Sequence, residues 1–230
     1  MPNPRMIAVT LHRGNEAQKR EVAIHHAVVA GWTGRDKVAL EKHIVELEHL
    51  GVKRPASTPI FYRVSASRLT TDRGIEVSGG DSSGEVEFVL LKTGGRLWVG
   101  TGSDHTDRQV ETYNVTVSKQ MCDKPIAGEF WDLEEVAGHW DQLTLSSWII
   151  EKGERVLYQQ GSVAAMLAPQ DLLALWNNGE LDEGTLMFCG TLAAKGGIRP
   201  APRFEFELAD PVKGRKIAHG YGMTSLAVVG

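Results

Sequence analysis

The chain has 230 residues, 42% hydrophobic and 23% charged, with a formal net charge of −4. That length can bury a full hydrophobic core, and the composition is that of an ordinary folded domain. No basic block gives electrostatic support to nucleic-acid binding, and no apolar run reaches the length that spans a bilayer. Met1 to Leu11 carries no apolar segment of a secretion signal, so a cytoplasmic protein with neither nucleic-acid nor membrane partners is expected. The two cysteines, Cys122 and Cys189, lie far apart and form no CxxC pair. They read as free buried thiols, with a disulfide as the alternative.

In chain order, Met6 to Leu11 alternates Ile7, Val9 and Leu11, which predicts a strand. Ala23 to Ala30 predicts a second. His25 and His26 would face opposite ways on it and could not share one ion. After a turn at Gly31 to Gly34, Asp36 to Leu50 reads as a helix. Asp36 is its N-cap, Gly51 its stop, and Leu40, Ile44 and Leu47 its apolar stripe. Pro55 and Pro59 bracket a loop that feeds the strand Ile60 to Val64. Short strands are then expected near Ile75 and over Glu85 to Leu91, Arg96 to Val99, Val110 to Val117, Leu143 to Ile150 and Arg155 to Tyr158. Ala164 to Trp176 reads as a second helix with Pro169 in its first turn. Thr185 to Gly190 is a strand, and Arg203 to Leu208 with Lys216 to Ala218 forms a terminal hairpin. Many short strands and few helices predict an α+β, predominantly β fold, a mixed β-roll or sandwich. A boundary near residue 58 would divide a small N-terminal α/β lead-in, 1–58, from a β core, 59–230.

The chemistry concentrates in Gly84-Glu85-Val86-Glu87 and Asp104-His105-Thr106-Asp107-Arg108. Side chains alternate along a strand, so Glu85 and Glu87 share a face. A hairpin through Gly94-Gly95 brings Asp104 back towards them. Three converging carboxylates make a hard oxygen site of the kind that holds Mg²⁺, Mn²⁺ or Ca²⁺. Taken alone, the Glu pair fits the solvent face of a half-buried strand as well. His105 and Asp107 either orient Asp104 or belong to a polar loop.

The order of several sequence blocks resembles the fumarylacetoacetate hydrolase superfamily, and within it a bacterial branch, DUF2848. His43-Ile44-Val45-Glu46 resembles the family's His-x-x-Glu catalytic pair. Pro59-Ile60-Phe61-Tyr62-Arg63 resembles a Pro…Phe-x-Lys strand, with Arg63 standing where the family has Lys. Glu85-Val86-Glu87 resembles the ligand strand, and Asp104 to Arg108 the Asn-Asp-x-x-x-Arg block. Glu183 to Thr191 resembles the Gly-Asp-x-Ile-x-x-Gly-Thr strand. Lys119 sits where the resemblance expects an active-site lysine.

The resemblance implies a fumarylacetoacetate hydrolase-like fold and a metal site of Glu85, Glu87 and Asp104. It implies catalysis by His43, Glu46 and Lys119, and substrate contacts from Arg63, Arg108 and Thr191, the last as a hydrogen-bond donor. It also implies a homodimer acting on a small oxo acid. In the expected reaction a divalent ion stabilises the enolate released when a C–C bond of an acylpyruvate-like acid breaks. His43, polarised by Glu46, takes the proton of the attacking water, and Arg108 and Lys119 meet the carboxylate or the oxyanion. From spacing alone, His43 also fits a surface position of a Lys/Glu-rich helix. A decarboxylase, hydratase or isomerase on the same site remains an alternative, as does a non-catalytic ligand-binding or scaffold protein.

Overall fold

The computed structural model describes residues 3–49 and 54–229. In chain order its first strands are β1 (Arg5–Arg13), β2 (Glu16–Ile24), β3 (His26–Gly31), β4 (Ile60–Val64), β5 (Leu69–Thr70), β6 (Gly74–Ser78), β7 (Ser82–Ser83) and β8 (Val86–Thr93). They continue as β9 (Arg96–Ser103), β10 (Thr106–Asp107), β11 (Lys124–Pro125), β12 (Glu129–Asp132), β13 (Thr144–Glu151), β14 (Glu154–Ser162), β15 (Thr185–Thr191), β16 (Arg203–Asp210) and β17 (Arg215–Leu226). The helices are α1 (Lys37–His49), α2 (Arg108–Glu111), α3 (Val115–Gln120), α4 (Glu134–Ala137) and α5 (Pro169–Ala174). The fold is α+β and mainly β. No described helix is long and apolar enough to cross a membrane.

Two mixed sheets pack against each other. The larger has the order β2-β1-β12-β9-β8-β15-β3-β4, and the smaller β14-β13-β16-β17-β6. Strand β8 explains the layering. Its Val86, Phe88 and Leu90 join Leu145, Phe204, Phe206 and Leu208 in the core between the sheets. Its Val89 and Leu91 face the other way, into a second apolar cluster with Ile7, Val9, Tyr62, Val64 and Phe188. Ile7 and Val64 come from strands near opposite edges of the large sheet, so the sheet must curl round that cluster as a half-barrel. With both faces buried, β8 reads as a continuous apolar run.

The hairpin expected at Gly94-Gly95 is present. Thr93 pairs with Arg96, and both glycines have positive φ, 62° and 73°, as a two-residue turn between right-twisted strands requires. Asp36 caps α1 by accepting from the Val38 and Ala39 amides. The expected end of that helix, at Leu50 and Gly51, lies outside the described residues.

Three expectations are corrected. Val110 to Val117 is not a strand but parts of α2 and α3. Asp107 and Asn114 accept from the Val110 and Val117 amides, and these caps outweigh the β-branched composition. Ala23 to Ala30 is broken at His25, where the His25 and His26 amides both turn to the Gly184 carbonyl. The helix expected over Ala164 to Trp176 shortens to α5, with Pro169 in its first turn. Strand β3, before the expected boundary near residue 58, pairs antiparallel with β4 after it.

Candidate metal centre and active site

The β8–β9 hairpin builds the acidic cluster. Val86 pairs with Ser103 and Glu87 with Gly102, and the Asp104 amide donates to the Glu85 carbonyl at 3.0 Å. Glu85 and Asp104 therefore face each other at the open end of the hairpin, with Glu87 one pleat further in. One carboxylate oxygen from each lies within 4.8 Å of the others. Glu87 and Asp104 are buried. Asp104 Oδ1 is a buried oxygen with no hydrogen-bond partner, so a divalent cation with hard oxygen ligands fits the cluster.

Two buried lysines adjoin it. Lys119, turned inward on α3, places Nζ 2.5 Å from Asp104 Oδ2 and 5.9 Å from the Tyr62 ring centroid. Lys124 is wholly buried, donates to the His105 carbonyl at 2.5 Å and lies 3.3 Å from Asp104 Oδ1. Burial works to raise the Asp104 pKa, but the two ammonium groups outweigh it and hold the carboxyl below its usual range. Burial pulls Lys119 down and Asp104 lifts it, with a net rise. Lys124, deeper and less well paired, is held below an ordinary lysine by burial. Glu87 moves well above the usual carboxylate range, through burial and then the Asp104 charge, against the Gly190 N–H that it accepts.

Arg108 is committed within the site. Nε donates to Ser83 Oγ at 2.7 Å, one terminal nitrogen to Glu111 at 2.8 Å, and the other lies 3.4 Å from Glu85. This geometry holds Glu85 in place. His105 is buried between Tyr221 and Ser82, at 2.9 Å from each oxygen, and Tyr221 also reaches Ser103 at 2.8 Å. Burial, then Lys124 and Arg108, push the imidazole down to about 3. His105 is thus a neutral group that ties together the residues flanking Asp104.

The structure brings Glu85, Glu87, Asp104, Arg108 and Lys119 together. Arg63 does not join them. Alternation along β4 sends Tyr62 and Val64 into the half-barrel and Arg63 outward, where it meets His26 Nδ1 at 2.7 Å. Thr191 lies beside the cluster, but its hydroxyl proton goes to the Val86 carbonyl at 2.7 Å and its oxygen accepts from Gln159. It can offer a further group only an acceptor, not the donor expected. His43 and Glu46 belong to α1, but their side chains lie outside the described residues. Lys124, Tyr62, Glu111, Tyr221 and Gln159 were not anticipated. Only Lys124 left a local signal, a lysine directly ahead of the apolar run Pro125-Ile126-Ala127. Cys122 and Cys189 are both buried and unpaired.

A family model described as Protein of unknown function (DUF2848) matches residues 30–221. Comparison with curated proteins finds no match. Among solved structures, a fumarylacetoacetate hydrolase from psychrophilic Exiguobacterium antarcticum is similar, with 16% identity and a TM-score of 0.60 over 91% of this chain and 79% of that one. A 2-keto-3-deoxy-D-arabinonate dehydratase complexed with magnesium and 2,5-dioxopentanoate has 13% identity and a TM-score of 0.61, over 94% and 79%. A 4-oxalocrotonate decarboxylase from Pseudomonas putida G7, complexed with calcium and acetate, has 19% identity and a TM-score of 0.53, over 86% and 77%. At these identities the likeness is one of fold.

Proposed function

The chain belongs to the DUF2848 family, and from that premise we propose that it is a divalent-metal-dependent enzyme acting on small oxo acids, specifically a hydrolase that cleaves a C–C bond of an acylpyruvate-like substrate. The observation that carries this reading is the convergence of three carboxylates, two of them buried, in which Asp104 Oδ1 accepts no hydrogen bond and has only the Lys124 ammonium group 3.3 Å away. Without a cation, burial and then the Asp104 charge push Glu87 towards its neutral form. Mg²⁺, with Mn²⁺ or Ca²⁺ as substitutes, suits the donor set. Bound there, it supplies positive charge that favours the enolate over its keto form.

The chain's own residues divide the remaining work. Lys119 presents an ammonium group for the substrate carboxylate or the developing oxyanion, and Lys124, wholly buried, balances the charge of Asp104 from behind. Arg108 orients Glu85, and Thr191 offers an acceptor. The base rests on the family resemblance: His43, polarised by Glu46, takes a proton from water as the water oxygen adds to the distal carbonyl carbon. The C–C bond then breaks, the electron pair leaves with the pyruvate end as its enolate, and a proton returns to give pyruvate and a free acid. A positioned base of this kind contributes about 10²–10⁴-fold. The proposal includes a homodimer, which light scattering checks.

Calorimetric titration of stripped protein with Mg²⁺ and Mn²⁺ should show binding that Glu85→Gln and Glu87→Gln abolish. Equal binding by either variant overturns the metal assignment. A panel of acylpyruvates and oxaloacetate, followed by pyruvate, free-acid and CO₂ release, should separate hydrolysis from decarboxylation. His43→Ala should abolish turnover and leave metal affinity unchanged. Turnover that survives His43→Ala removes that residue from the mechanism.

A further inference from the structure

We propose that Gln159, a side chain of the smaller sheet, is a positioning residue that fixes the Glu85–Glu87 strand segment in the geometry its cation needs; this rests on the metal-centre reading above. The need for such a residue arises in the β8–β15 ladder. Phe188 pairs with Val89, but Thr191 pairs with Glu87, so β15 carries one extra residue there. Such a bulge bends its strand and interrupts the ladder bonds. It contains Gly190, whose φ is +108°, and a Cβ there would lie 1.9 Å from Thr33 Oγ1. The bulge has a use, because it turns the Gly190 N–H onto Glu87 Oε2 at 2.6 Å.

Gln159 repairs the interruption. It stands on β14 opposite Ser147, where the β13–β14 register itself shifts, and its side chain is buried. Its Oε1 accepts from the Val86 amide and from Ser147 Oγ, each at 2.9 Å. Its Nε2 donates to Thr191 Oγ1 at 2.8 Å and to the Leu192 carbonyl at 2.6 Å. All four hydrogen-bonding positions of the amide are used. Its orientation is dictated by its neighbours, since the Val86 amide can only donate and the Leu192 carbonyl can only accept.

Thr191 then passes its own proton to the Val86 carbonyl at 2.7 Å. Gln159 and Thr191 thus close a hydrogen-bonded ring on both backbone groups of Val86, the residue between the two glutamates. The same pair anchors the start of the bulge's exit, next to the Gly190 that holds Glu87. Rotation of the Val86 peptide would swing Glu85 and Glu87 apart, and the ring opposes that rotation. Outer contacts that orient ligands in this way commonly change metal affinity about 10–100-fold when removed.

The experiment measures Mn²⁺ affinity, and the magnetic-resonance line shape of bound Mn²⁺, in the full-length protein. Gln159→Leu removes the whole ring. Gln159→Glu keeps the acceptor for Val86 and loses the donors to Thr191 and Leu192. Both should weaken Mn²⁺ binding by at least about tenfold and broaden the bound spectrum. Ser147→Ala, which removes a bond to the same amide without touching the ligand strand, should change neither. Wild-type affinity and line shape in a folded Gln159 variant overturns the inference alone. So does an equal loss in Ser147→Ala, or failure of both Gln159 variants to fold, since either assigns Gln159 to general packing. Wild-type protein that takes up no Mn²⁺ overturns the metal reading, and this inference with it.

Discussion

Asp104 carries more of the site than any other residue. It is buried between two ammonium groups, and its Oδ1 accepts no hydrogen bond. Removing one member of a buried ion cluster strands the others, at a cost of about 3–5 kcal/mol. Asp104→Asn should therefore destabilise the stripped protein by that amount in urea unfolding and also lose metal uptake. A stability equal to wild type would mean that Lys119 and Lys124 find other partners. The contrast with Arg63 is one of parity. Asp104 follows from the hairpin that returns it to the Glu pair, whereas Arg63 rests on resemblance to a motif alone, and strand alternation at β4 gives the interior to Tyr62. A lysine is read as exposed by default, so the apolar run after Lys124 is a weak local signal, and long-range packing is what buries it.

Among elements, the β8–β9 hairpin was legible because every signal for it is local: alternating acids, a continuous apolar run and a glycine pair at the turn. The ligand triad came with it, since register follows from the turn. The α2–α3 segment was misread because its valines favour strands, whereas Asp107 and Asn114 decide the outcome through their side chains. Gln159 and Tyr221 could not be read at all. Val86, which Gln159 binds, is 73 residues away and Ser103, which Tyr221 binds, is 118 away, and no local pattern encodes those meetings. The β16–β17 turn gives a prediction of its own. Buried Asp210 accepts from His139, the Lys213 amide and Arg215. Burial raises its pKa, but these donors outweigh it and hold the group below the ordinary 3.8. A depressed folded-state value means stability that is complete above the unfolded pKa and is lost as pH falls through the folded one. Between about pH 5 and pH 2, wild type should lose stability more steeply than Asp210→Asn. Superimposable urea midpoints across that range would remove Asp210 from the acid response.

At the scale of the molecule, the proposed centre joins parts of the large sheet that the chain reaches at widely separated times. Glu85 and Glu87 belong to one hairpin arm and Asp104 to the end of the other, and Gly190 on β15 is tied to Glu87. A cation that binds the folded chain and has no preformed seat in the unfolded one stabilises the whole fold by mass action. At a concentration about 100-fold above Kd the gain is about 2.7 kcal/mol. For a chain of this size each kcal/mol raises Tm by about 2–4 °C, so Mg²⁺ should raise Tm by about 5–11 °C. Glu87→Gln separates this from a general salt effect. Glu87 is already pushed towards its neutral form in the metal-free protein, and a glutamine amide resembles that neutral acid in size. The variant should therefore keep a Tm close to that of stripped wild type and lose the response to Mg²⁺. A wild-type Tm that does not move with Mg²⁺, or a variant that responds equally, would show that the carboxylate cluster is not where a cation acts on the fold.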